Sequence, residues 1–121
     1  MIPETVAEKL QEIAYLITDQ EIDIESVDPQ TTVLRGDIHF INGSILHFME
    51  YTAPETHDYR FHYMDGDENL IRRWDSAPHH QGLENFPFHV HTPEGTESSR
   101  EMTFDKILEK VEDLILEEIE E

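Results

Sequence analysis

The spacing of apolar residues changes period several times along the chain, and each change marks an element. Val6, Leu10, Ile13 and Ile17 recur at intervals of four and three with Ala7 and Ala14 alongside, which predicts a helix opened by Pro3 in its first turn. "EIDIESV" then alternates Ile22 and Ile24 with acids, the pattern of a half-buried strand, and Pro29 ends it. Two β-rich runs flank Asn42-Gly43, a pair that suits a two-residue type I′ turn. That turn sets Phe40 opposite Ile45, Ile38 opposite His47, Leu34 opposite Tyr51 and Arg35 opposite Glu50, with Asp37 and His39 near the last pair. His47 then falls on the core side, and Arg35 and Glu50 can form a cross-strand ion pair.

A second hairpin is expected around Asp65-Gly66-Asp67-Glu68. A four-residue loop there puts Tyr59, Phe61, Tyr63, Leu70 and Trp74 on one face, and Arg60, His62, Ile71, Arg73 and Asp75 on the other. One side of this ribbon is aromatic and the other is rich in charge and imidazole. "FPFHVH" adds a short strand that Pro87 confines to an edge or a start, and "HTPEGTESS" reads as loop. From Thr103, an N-cap, Phe104, Ile107, Leu108, Val111, Leu114 and Ile115 form the stripe of a closing helix. The expected fold is α+β, one domain over residues 1–121: an antiparallel sheet of about five or six strands with N- and C-terminal helices on one face.

Composition narrows the chemistry. There is no cysteine, so disulfides and thiolate ligands are excluded. No apolar run approaches the roughly 20 residues of a membrane span, and the N-terminal stretch lacks a basic signal-like region, which points to a cytoplasmic protein. The formal charge is −20, from 28 acids against 8 Lys plus Arg. The acids are spread through ordered patterns, with only Lys9, Lys106 and Lys110 as lysines, which favours adaptation to concentrated salt over an acidic tail. Serine-nucleophile elbows, phosphate loops and dinucleotide fingerprints are absent.

The chemistry that remains is concentrated in "RRWDSAPHHQGLENFPFHVH". His62, His79, His80, His89 and His91 are candidate acid/base groups, since imidazole titrates near working pH. Arg60 and Arg73 are candidates to bind phosphate, and Asp75 to orient an imidazole. Such a set suits metal-independent cleavage of a phosphodiester. The alternative is a non-enzymatic module that binds metal or a partner: His89 and His91 point the same way from a strand, and with His79 they make a three-histidine set for zinc or a similar divalent ion. His39 and His57 are expected to be structural or solvent-facing.

"YRFHYMDGDENLIRRWDSAPHH" followed by "ENFPFHVH" resembles the TumE family of toxin–antitoxin proteins, most closely over residues 59–91. The matching positions are Tyr59, His62, Arg73, Trp74, Asp75, Ala77, Pro78, His79, His80, Phe86, Pro87, His89 and His91. Ser76 stands where the family pattern has Asn, and Phe88 replaces a histidine of the second cluster. The resemblance implies the toxin of a type II pair, with a helix-turn-helix antitoxin as partner. RNA as the target is inferred from the residue types.

Overall fold

The computed structural model describes residues 4–76 and 88–120. Among the described residues, seven strands form one sheet in chain order: β1 (Ile17–Asp28), β2 (Thr31–Phe40), β3 (Ile45–Ala53), β4 (Thr56–Met64), β5 (Leu70–Asp75), β6 (His89–Thr92) and β7 (Gly95–Ser98). Every neighbouring pair is antiparallel, so the sheet is a meander. Helix α1 (Glu4–Glu12) precedes it and α2 (Phe104–Glu120) follows. The α+β class is as expected, with seven strands in place of five or six.

One face of the sheet packs on both helices. Leu34, Ile38, Phe40, Leu46, Phe48, Tyr59, Phe61, Tyr63 and Trp74 join Val6 and Leu10 of α1 and Phe104, Ile107, Leu108, Val111 and Ile115 of α2 in one core. The stripe of α2 is the one its 3.6-residue period predicts. The first helix is shorter than its apolar spacing suggests: a 3-10 turn over Ala14–Leu16 follows α1, and Ile17 already belongs to β1. Ile13 and Leu16 are both fully buried, so the chain trades helical continuity for a turn that buries both.

The first hairpin corrects the predicted register by one residue. His39 pairs with Ile45, Asp37 with His47, and Arg35 with Met49. The cause lies in the turn. Gly43 N–H donates to Phe40 O, Phe40 N–H donates to Ser44 O, and Gly43 sits at φ +86°, giving a three-residue loop whose glycine takes the left-handed position. A one-residue change inverts which side chains share a face across the pair. His47 therefore lies on the open face against Asp37, and Glu50 joins the core side. Arg35 reaches Glu25 at 3.6 Å, which replaces the expected Arg35–Glu50 pair.

The second hairpin repeats the same loop length. Asp65 N–H donates to Asn69 O and Glu68 N–H to Asp65 O, with Glu68 in the left-handed region at φ +66°. A register shift between Tyr63 and Met64 accommodates it, and Ile71, expected on the polar face, is part-buried against the core. The stretch read as loop after His91 is a hairpin instead: β6 and β7 pair through Thr92↔Gly95, with Thr92 Oγ1 accepting from Glu94 N–H at 3.2 Å. Its polar residues concealed an edge strand.

Between β1 and β2, backbone contact is unusually close. A Cβ on Gly36 would lie 2.0 Å from the Glu21 carbonyl oxygen, so only glycine permits this pairing.

Candidate functional site

The register carries two continuous rows of side chains across the open face. One runs Asp37, His47, His62, Arg73, His91, Thr96; the next runs Arg35, Met49, Arg60, Asp75, His89, Ser98. The strands β4, β5 and β6 thus bring Arg60, His62, Arg73, Asp75, His89 and His91 into one patch two rows deep. His62 and His91 flank Arg73 in the first row, with roughly 10 Å between their backbones, twice the strand spacing. His79 and His80 lie outside the described residues.

Alternation explains the patch. In β4, Tyr59, Phe61 and Tyr63 turn to the core, so Arg60 and His62 must turn away. In β5, Trp74 is buried opposite Phe61, which sends Arg73 and Asp75 to the other side. In β6, Val90 pairs with Trp74 and packs against the core, leaving His89 and His91 beside Asp75 and Arg73.

The centre of the patch is the Asp75 carboxylate, only 2% exposed. His89 Nε2 lies 2.7 Å from its Oδ1, while His91 Nε2 and Arg73 Nε each lie 3.4 Å from Oδ2. His89 is buried as well, and its ring meets that of His91 edge-on with centroids 4.7 Å apart. His91 Nδ1 is 3.1 Å from Thr96 Oγ1, a contact set by the β6–β7 pairing where a loop over residues 91–99 was expected. The alternation of Thr96 and Ser98 in phase with His91 and His89 was the available signal. His62 is held below the ordinary histidine range by burial and by the positive charges of Arg73, His47 and Arg60. It is therefore neutral at pH 7. A groove of about 470 Å³ opens beside Asp75, lined in part by His47, Met49, Arg60 and Ser76, within the size range of small-molecule sites.

Charge divides the open face. On β1, Asp19, Glu21, Asp23 and Glu25 occupy the positions opposite His39, Asp37, Arg35 and Val33. The cationic and imidazole groups gather at β3–β6 instead, although the whole chain carries −20.

Sequence reasoning missed a second acid–imidazole cluster on the helix-covered side. His57 Nε2 is 2.7 Å from Glu50 Oε2, and its Nδ1 is 2.6 Å from Glu101 Oε2. Glu50 also accepts the Phe104 backbone N–H at the start of α2, and Tyr59 Oη accepts Met102 N–H at 3.1 Å. Burial alone would lower the His57 pKa, but bonds to both carboxylates outweigh it and raise it. Burial raises Glu50, partly offset by His57, and pushes the Tyr59 hydroxyl up to about 12. The signal was parity: His57 is in phase with Tyr59, Phe61 and Tyr63.

Among the described residues, Asp75, His89 and His91 also form a group whose potential ligand atoms all lie within 4.8 Å of one another. Of the expected His79, His89, His91 set, His89 and His91 belong to this group with the Asp75 carboxylate beside them, and His79 lies outside the described residues. None of the described helices is long and apolar enough to cross a membrane. The family model described as Toxin TumE matches residues 5–121. No curated protein and no solved structure matches the chain.

Proposed function

The chain belongs to the TumE toxin family, and from that premise we propose that it acts on RNA, cleaving the phosphodiester at the β4–β6 patch without a metal. The observation that carries this reading is the row His62–Arg73–His91: two imidazoles on either side of a guanidinium, beside a buried aspartate. His62, neutral at pH 7, takes the proton of a ribose 2′-hydroxyl. The 2′-oxygen bonds to phosphorus as the bond from phosphorus to the 5′-oxygen breaks. His91, whose Nε2 faces the Asp75 carboxylate at 3.4 Å, gives a proton to that leaving oxygen. Arg73, helped by Arg60, stabilises the charge on the non-bridging oxygens. His89 fixes the Asp75 carboxylate, and His79 and His80 belong to the same proposed acid/base set. The products are a 2′,3′-cyclic phosphate and a 5′-hydroxyl.

As the toxin of a pair, the chain is kept inactive in its cytoplasmic setting by an antitoxin of helix-turn-helix type. The acidic composition suits a salt-rich cytoplasm, so assays belong at both low and molar salt. The test is expression of the chain alone, followed by mapping of RNA ends. Growth arrest with new 5′-hydroxyl ends, both lost with Arg73→Gln, is the expected result. Intact RNA during full growth arrest would remove the nuclease reading.

The Asp75, His89, His91 group favours the second reading, a metal-binding or partner-binding module without catalysis. Growth arrest that survives loss of His62 but not of His89 would favour it.

A further inference from the structure

We propose that Asp75, His89 and His91 form a binding site for one divalent cation of the zinc class, and that the bound cation silences the acid/base chemistry by occupying His91. The silencing clause rests on the function proposed above; the site itself does not.

The donor set is one carboxylate and two imidazoles. That combination suits a borderline divalent metal and leaves further positions open to water. Asp75 and His89 are almost fully buried and His91 is largely so, which confines the donors to a narrow range of positions. Both Nε2 atoms converge on the same carboxylate, at 2.7 and 3.4 Å. Two nitrogen lone pairs and a carboxylate repel unless a proton or a cation lies among them. On the far side of His91, Nδ1 lies 3.1 Å from Thr96 Oγ1; in the tautomer whose Nδ1–H donates to that oxygen, Nε2 is presented as a ligand. The donors lie within 4.8 Å of one another, so small side-chain adjustments bring them to bonds of about 2 Å.

Arg73 is the competitor. Its Nε reaches Asp75 Oδ2 at 3.4 Å, and the side chain as a whole is about one-third exposed. Zinc and the guanidinium therefore compete for one carboxylate. This gives a direction that a merely structural Asp75–His cluster does not: removing Arg73 tightens the metal.

The experiment is calorimetric titration of the full chain, freed of metal by chelation, with zinc chloride at pH 7. It is run beside Asp75→Asn, His91→Ala and Arg73→Gln. One equivalent should bind, at least tenfold more weakly in the first two variants and several-fold more tightly in the third. Side-chain nitrogen NMR of the unsubstituted chain keeps the test decisive if a variant fails to fold: the Nε2 signals of His89 and His91 should shift on zinc addition. No saturable binding, or binding that leaves those signals in place, overturns the site. Cleavage of an oligoribonucleotide is measured in parallel. Zinc should suppress it and chelation restore it; cleavage unaffected at saturating zinc overturns the silencing clause. A chain that binds zinc as described but cuts no RNA upholds the site and removes only the nuclease reading.

Discussion

On the helix-covered side of the sheet one imidazole, His57, lies between two carboxylates; on the open side one carboxylate, Asp75, lies among two imidazoles and a guanidinium. The residue types are the same and the ratio is inverted. With both ring nitrogens facing acids, His57 is stable as a doubly donating cation and keeps no lone pair for chemistry. It joins β3 and β4 to the segment that opens α2, through Glu50, Glu101 and the Phe104 N–H. Around Asp75 the ratio is reversed, and one carboxylate serves two imidazoles and a guanidinium. The comparison teaches that a histidine–acid contact is not itself a functional signal. Stoichiometry and the face of the sheet decide.

The comparison is tested most severely by removing an imidazole from the open face. His62→Gln should lower RNA cleavage by about 10²–10⁴-fold, the usual contribution of a general base, while thermal unfolding stays close to that of the parent chain. A large loss of stability with unchanged cleavage would reverse the roles assigned to the two clusters. The converse substitution is Glu50→Ala. It leaves His57 and the start of α2 without a buried carboxylate and should cost about 3 kcal/mol in chemical denaturation, with cleavage per folded molecule preserved.

Protons should separate the clusters too. His57 and Glu50 both have raised pKa values in the folded chain, so their contribution is fully present below their unfolded values and is lost as pH rises through the folded ones. The melting temperature should therefore fall first as pH climbs above the ordinary carboxylate range, through Glu50, and again above the ordinary histidine value of about 6.5, where His57→Gln should flatten the fall. His62 has the opposite shift. Its neutral form persists to lower pH, so the acid limb of the cleavage profile should lie below the ordinary histidine value. The smallest effect is a control outside both clusters. Glu68→Gly relieves a left-handed backbone at a non-glycine residue and should stabilise by about 0.5–1 kcal/mol without altering cleavage.

Much of the open-face patch was legible because strand alternation is local. Once Tyr59, Phe61 and Trp74 are assigned to the core, Arg60, His62, Arg73 and Asp75 follow without knowledge of pairing. The same argument places Ile22 and Ile24, and the 3.6-residue period of α2 names its buried stripe. Register was less legible. Asn42-Gly43 fits either a two- or a three-residue loop, and the difference of one residue moved His47 outward and Glu50 inward. Glu101 meets His57 only through the tertiary approach of the α2 entry to β4, which no local pattern encodes. The β6–β7 hairpin was hidden because an edge strand needs no apolar side chains of its own.

The most direct test of the central claim is the pH–rate profile for cleavage of a short oligoribonucleotide by the purified chain in excess chelator, compared with His62→Gln and Arg73→Gln. The account predicts metal-free formation of a 2′,3′-cyclic phosphate, an acid limb below the ordinary histidine range that His62→Gln abolishes, and a loss with Arg73→Gln. Cleavage that requires added metal, or an acid limb unchanged in His62→Gln, would contradict it.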